Sequence, residues 1–318
     1  MRNLDPGSYT NPETFTLECT RIFWAAWQLI GPVSRLAAAG DYVATEIAGA
    51  KIVAIRGSDG TLRAFRNVCR HRGARLFEEG TGRCNLIRCQ YHNWVYDLDG
   101  SLRQAPWFGE DAEFDLQDWP LEAISIEVWR GLVFVAIEPS ATLEEQLGAT
   151  VPELADEPLE KFHAVAEHRM VFDANWKIYT DNFVEGYHIP GLHPGFFQAI
   201  DFEQFETTAH DNLVRMTAPP REGLFYKGKW LWMWPNWTLS LFDGGMNTSR
   251  INPISESRTE LIYHFYFADT SDAKAAARQD TIARNIAVVE EDFGICIETH
   301  KNYATGGYSP GPLSLRHE

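Results

Sequence analysis

The stretch NVCRHRGARLFEEGTGRCNLIRCQYHNWVYDLDG, Asn67 to Gly100, holds a Cys-x-His pair and a Cys-x-x-His pair separated by seventeen residues. Cys69 with His71, and Cys89 with His92, each supply one edge of a metal polyhedron. Two centres use that donor set. A structural zinc takes two Cys and two His, and a 2Fe-2S centre of mixed ligation takes two Cys on one iron and two His on the other. Around the stretch, short apolar runs such as YVATEIAG, KIVAIRGSDG and GLVFVAIEP alternate with turn signals, Asp59-Gly60 and Asp99-Gly100 among them. That pattern predicts antiparallel β hairpins, with the two Cys/His pairs on loops. Cys84 lies outside the spacing and reads as a small hydrophobe with no assigned role.

The rest of the chain sets limits. At 318 residues, with 45% hydrophobic and 13% aromatic content, it is long enough for two domains with substantial cores. A net charge of -16 argues against nucleic acid and against membrane surfaces. Five scattered cysteines argue against a disulfide framework. The start, MRNLDPGSYTNPETFT, has neither the basic residues nor the apolar run of a secretory signal, so a cytoplasmic protein is expected. Texture changes near residue 150. Mixed helices are expected around 153–190, a strand-rich stretch over about 212–268, and a helix in TSDAKAAARQDTIARNIAVVEEDFGICIETH. The expected division is a helical segment at 1–38 that packs on the second domain, a β module at 39–148, and an α+β domain at 149–318.

DNFVEGYHIPGLHPG, Asp181 to Gly195, puts Glu185, His188 and His193 within nine residues. If NWKIYTDNFVEGYH is helical, Glu185 and His188 share a face. Pro190 and Gly191 then end the helix and carry His193 back beside His188. Two His and one carboxylate with open positions suit non-haem Fe(II). Glu185 competes for the carboxylate position with Asp292, which falls on an apolar stripe with Val288, Ile295, Cys296 and Thr299 while Glu290 points the other way. A carboxylate facing inward on such a stripe needs a cation or a donor. Asp292 is therefore the expected third ligand, with Glu291 as the fallback.

CRHRGARL followed by CQYHNWVYDLDG resembles the Rieske domain of the Rieske non-haem iron ring-hydroxylating oxygenases. NWKIYTDNFVEGYHIPGLHPG and EDFGICIETHKNYATGGYSPGPLS resemble the catalytic domain of their α subunits. The resemblance runs from Pro12 to Leu315. It implies an α+β fold in which an antiparallel Rieske module accompanies a catalytic antiparallel sheet covered by helices. Cys69 and Cys89 would hold one iron of a 2Fe-2S cluster and His71 and His92 the other, while His188, His193 and Asp292 would hold the mononuclear Fe(II). Glu185 would link an iron-bound His to a Rieske His of a neighbouring subunit in a head-to-tail homotrimer. The chain ends at LSLRHE, where family members continue through a further short segment, so some last contacts are expected to be missing.

Such a protein is a terminal oxygenase. It uses O2 to hydroxylate or demethylate a small organic molecule. No GxGxxG or flavin motif is present in the sequence, so electrons are expected from a separate NAD(P)H reductase, directly or through a ferredoxin. The bridging position carries Glu, where aromatic dioxygenases most often have Asp. Glu followed by GYH looks more like the branch that oxidises betaines, carnitine and choline. KWLWMWPNWTLSLF offers Trp230, Trp232, Trp234 and Trp237, either as a sheet face under a helix or as a pocket wall. Phe183, Tyr187, Phe225, Trp232 and Trp237 are the candidate substrate contacts, with Tyr226 beside them. The runners-up are an aromatic-ring hydroxylase or O-demethylase and, more remotely, a Rieske electron carrier or a zinc-stabilised binding module.

Overall fold

A computed structural model describes residues 2–109, 113–219 and 226–317. The chain divides into two compact units, Phe23–Leu143 and Met1–Ile22 with Glu144–Glu318. The first boundary therefore falls earlier than residue 39. The reason is a buried strand, Gln28–Pro32, which pairs antiparallel with Leu132–Ala136 at the edge of the smaller unit's sheet.

That sheet has seven strands. In spatial order they are Gln28–Pro32, Leu132–Ala136, Ala123–Trp129, Leu62–Arg66, Ala50–Arg56, Asp41–Ile47 and Gly80–Arg83. Asp59-Gly60 turns one hairpin and Asp99-Gly100 another, as their sequences predict. A second, three-stranded sheet (Ile87–Arg88, Val95–Tyr96, Leu102–Gln104) carries the second Cys/His loop. Phe65, Leu76, Ile87, Trp94, Tyr96 and Leu98 pack with Cys69 and Cys89 in one core, which fixes the loops against the sheets.

The larger unit has a seven-stranded antiparallel sheet in the order His163–Phe172, Arg258–Phe267, Gly245–Ser255, Trp237–Phe242, Tyr226–Met233, Leu213–Thr217, Glu206–His210. His163–Phe172 lies within the stretch read as helical. Its sequence HAVAEHRMVF does not alternate, and what makes it a strand is its pairing along its length with Arg258–Phe267. Helix Trp176–Phe183, capped by Asn175, and the 30-residue helix Ala275–Ala304 carry the residues of the second constellation. The N-terminal residues belong to this unit. Tyr9 is buried, and Glu18 accepts from Trp176 Nε1 at 2.9 Å and from Lys177 Nζ at 2.5 Å. Among the described residues, no helix is long and apolar enough to cross a membrane.

Candidate active site

The two Cys/His loops are closed in the same way. The Cys69 N–H donates to the Ala74 carbonyl at 2.8 Å and the Gly73 N–H to the Cys69 carbonyl at 3.0 Å; the Cys89 N–H donates to the Trp94 carbonyl at 2.8 Å and the Asn93 N–H to the Cys89 carbonyl at 3.1 Å. The fourth residue after each cysteine is left-handed, Gly73 at φ +72 and Asn93 at φ +56, a conformation that Gly and Asn adopt at least cost. Two equivalent loops thus present Cys69 and Cys89 from the core and His71 and His92 towards the surface, with the imidazole centroids 4.5 Å apart. His71 stacks on Trp94 at 4.9 Å, and its buried Nδ1 has no partner among the described groups, which suits a metal ligand. Burial, with His92 and Arg72 nearby, lowers the His71 pKa and keeps the ring in the neutral form that ligation requires. Tyr96 Oη accepts the Arg70 N–H at 3.1 Å and sits 3.3 Å from Cys69 Sγ, so its own hydrogen can go to the sulfur.

In the larger unit, His188, His193 and Asp292 each direct one donor atom into a group whose members lie within 4.8 Å of one another. Asp292 Oδ1 is 3.0 Å from His193 Nε2 and 3.8 Å from His188 Nε2. Neighbouring ligands about 2 Å from a first-row metal are separated by roughly 3 Å or somewhat more, so the group is the right size. The opposite ring nitrogens are also engaged: His188 Nδ1 by Glu185 Oε1, and His193 Nδ1 by Glu291 Oε2 at 2.6 Å. Carboxylates thus face both nitrogens of His193, an arrangement satisfied by a cation on the Nε2 side or by a doubly protonated ring. Burial alone would lower the His193 pKa, but Asp292 and Glu291 outweigh it and raise it. Glu291, the fallback ligand, therefore holds a ring in place, the usual arrangement around a metal-bound histidine.

Local structure reaches this geometry by a different route from the helix expected over 175–188. The helix stops at Phe183. The Glu185 carboxylate then accepts the backbone N–H groups of Tyr187 and of His188, the latter at 3.2 Å, which makes a turn that sets Glu185 beside the His188 ring. Gly186 is required there because a Cβ would fall inside the ring of buried Phe205. Pro190 and Gly191 do not end a helix; they belong to the single-turn helix Ile189–Leu192, after which Pro194 starts another.

A cavity of about 680 Å³, its open mouth included, lies over the three donors. Phe196, Tyr226 and Trp230 form one wall, with ring centroids 5.0 to 5.8 Å apart. Of the predicted contacts, Phe183 lines the cavity. Tyr187 does not; it is 63% exposed. Trp232 shares a sheet face with Trp230 but lies two residues further on, paired with Val214 and Thr238 and away from the cavity. Trp237 pairs with Met233 on the opposite face and is buried as core. Phe225 lies outside the described residues. Sequence reasoning named Tyr226 and Trp230 without choosing them, and it missed Phe196, which only the chain reversal after His193 brings to the wall.

A family model of the Rieske [2Fe-2S] domain matches residues 26–120, and one of the ring-hydroxylating α subunit's catalytic domain matches 159–224 and 203–318. The chain belongs to the Rieske oxygenase α subunits. As a family member it is an O2-dependent monooxygenase subunit with a Rieske cluster and a mononuclear iron, and its reductase is a separate component. It is 35% identical over 277 residues to the carnitine monooxygenase oxygenase subunit of Escherichia coli K12, covering 82% of this chain and 74% of that one. To the chloroplastic choline monooxygenase of Arabidopsis thaliana it is 23% identical over 331 residues, 96% and 78% of the two chains. A solved quaternary ammonium Rieske monooxygenase in complex with L-carnitine superposes with a TM-score of 0.87 at 29% identity, over 98% of this chain and 88% of the other. Related to both carnitine and choline monooxygenases, this Rieske oxygenase has the expected α+β architecture.

Proposed function

We propose that this oxygenase oxidises a small quaternary ammonium compound, by N-demethylation or hydroxylation. The observation that carries the reading is the aromatic wall of Phe196, Tyr226 and Trp230 over the His188, His193 and Asp292 donors. An onium group cannot donate hydrogen bonds, so it is recognised over ring faces, each worth about 0.5 to 2 kcal/mol, with indole the strongest. A net charge of -16 over the chain favours a cation's approach. Relatives named for carnitine and choline support the same class.

His188, His193 and Asp292 would hold the mononuclear iron, and Cys69, Cys89, His71 and His92 the cluster. The cluster supplies single electrons, and the iron supplies a site at which O2 is bound and activated. The chain's own part is positional. Trp230, Tyr226 and Phe196 seat the cation, Phe183 and Phe205 help to keep bulk water out, and Glu291 orients His193. Glu185 holds His188 with one carboxylate oxygen. In a head-to-tail homotrimer the same carboxylate would face a Rieske histidine of the neighbouring subunit and so connect the two centres, with electrons arriving from an NAD(P)H reductase, directly or through a ferredoxin.

The test pairs the reduced enzyme and O2 with panels of betaine-type and benzoate-type compounds, and follows formaldehyde, other aldehydes and hydroxylated products. Turnover is expected in the first panel. Trp230→Ala should raise KM for the cation by roughly 2- to 30-fold, and should raise it less for an uncharged tert-butyl analogue. Turnover confined to the benzoate panel would reject the assignment.

A further inference from the structure

We infer that Asp181 stores a proton on the wall of a second cavity behind Glu185 and passes it towards the iron pocket during oxygenation. This second cavity, about 950 Å³ with its open mouth, is lined by Asp181, Cys296, Thr299 and Tyr303 among others. Asn182 and Glu185 line both cavities and so form the partition between them. The Nδ2 of Asn182 is buried and has no partner among the described protein groups, which suits a water molecule in the partition.

The protonation state of Asp181 follows from counting hydrogens. Tyr9 Oη lies 2.6 Å from Asp181 Oδ2 and 2.8 Å from Asn3 Oδ1. The orientation of the Asn3 amide is set by the Leu4 N–H, an obligate donor that its Oδ1 accepts at 2.9 Å, and its Nδ2 then donates to Tyr303 Oη at 3.0 Å. Tyr9 has one hydrogen for two oxygen neighbours. With Asp181 ionised, one of these contacts would set two oxygens against each other with no hydrogen between them. With Asp181 protonated, the chain is complete: Asp181 donates to Tyr9, Tyr9 to Asn3, and Asn3 to Tyr303.

The surroundings agree. Burial pushes the Asp181 pKa up to about 6, against the opposing effects of Tyr9 and Lys177. The Lys177 charge is engaged by Glu18 at 2.5 Å. The groups facing Asp181 from the long helix, Cys296 and Tyr303, are neutral, because burial raises both pKa values. Across the cavity, Glu185 is committed to His188 and to two backbone N–H groups.

Monooxygenation needs such a source. Substrate R–H, O2, two electrons and two protons give R–OH and water: the C–H and O–O bonds break, a C–O bond forms, and the second oxygen atom leaves as water carrying the two protons. The electrons come from the reductase. Asp181 donates a proton across the partition and is reprotonated from the solvent-open cavity. The inference rests on the oxygenase reaction and is independent of which substrate is oxidised.

Asp181→Asn, Asp181→Glu and Tyr9→Phe test it in the intact, iron-loaded enzyme. Infrared difference spectra of wild type should show a protonated carboxyl band below about pH 6 that is absent in Asp181→Asn and shifted in Tyr9→Phe. In single turnovers of pre-reduced enzyme, Asp181→Asn should keep its iron and cluster spectrum but form product roughly 10- to 100-fold more slowly, with a larger solvent deuterium isotope effect. Asp181→Glu should recover much of the rate. A carboxyl band unchanged in both Asp181→Asn and Tyr9→Phe, or a wild-type rate and isotope effect in Asp181→Asn, would overturn the proposal.

Discussion

Glu291 and Asp292 are adjacent in sequence, and both touch His193, yet the geometry gives them different tasks that Glu291→Ala can separate. Glu291 meets Nδ1 at 2.6 Å and Asp292 faces Nε2 at 3.0 Å. Removing a carboxylate that orients a metal-bound histidine typically costs 10- to 100-fold in metal affinity, about 1.4 to 2.7 kcal/mol. Glu291 has a side chain 44% exposed, so water partly replaces it and the lower end of that range, about tenfold, is expected. Glu291→Gln, which still offers an amide oxygen to Nδ1–H, should lose less. Asp292→Ala removes a donor to the metal itself and should lose far more than either. The measurement is an anaerobic titration of Fe(II) into metal-free mononuclear sites against a competing chelator, with cluster iron counted separately by its visible absorption. If Asp292→Ala keeps near-native affinity while Glu291→Ala empties the site, the two roles have been exchanged. If neither changes affinity, the three-donor reading itself fails.

Three other expectations follow from particular contacts. The purified protein should carry about three irons per chain, and Cys89→Ser should abolish the red-brown colour while the mononuclear site still binds iron; a colourless zinc protein would contradict the cluster assignment. Gly186→Ala should destabilise the catalytic unit by roughly 1 to 3 kcal/mol, read as a lower thermal midpoint together with weaker iron retention, because the new methyl must displace buried Phe205 or the turn that carries His188. Because the Asp181 pKa of about 6 in the folded protein exceeds that of an unfolded aspartate, the native state holds the extra proton between about pH 4 and pH 6 and its stability declines as pH rises through that window. Chemical denaturation across that range should therefore show a flatter pH dependence in Asp181→Asn, and an unchanged slope would mean that Asp181 titrates normally.

What could be read from sequence depended on how local the governing physics is. The two Cys/His loops were legible because a metal fixes ligand spacing within a few residues, and both loops close through contacts within six positions. Asp292 was legible because a 30-residue helix turns spacing into direction: Asp292 and Cys296 are buried while Glu290 is exposed. The Glu185 and His188 neighbourhood was legible, but its conformation was not. A spacing of three brings side chains together in a helix and equally in a carboxylate-capped turn, and the choice is made by Phe205, which admits only glycine at position 186. The wall was harder still. Trp230 and Trp232 have the same alternation and chemistry, and only the position of the cavity along the strand separates them.

Asp181 marks where local reading ends. Its role depends on Tyr9, Asn3 and Tyr303, which come from opposite ends of the chain. No periodicity connects residue 3 with residue 303, and the short helix at Gly7–Thr10 has no functional signature of its own. What joins them is the number of hydrogens available to one phenol, and that count requires all three partners to be in place. An N-terminal segment that looks like packing in the sequence therefore sets the protonation of a carboxyl group beside the active site. Deleting residues 2–10 should accordingly remove the carboxyl infrared band of Asp181 while leaving the Cys and His loops, which make no use of that segment, able to assemble the cluster.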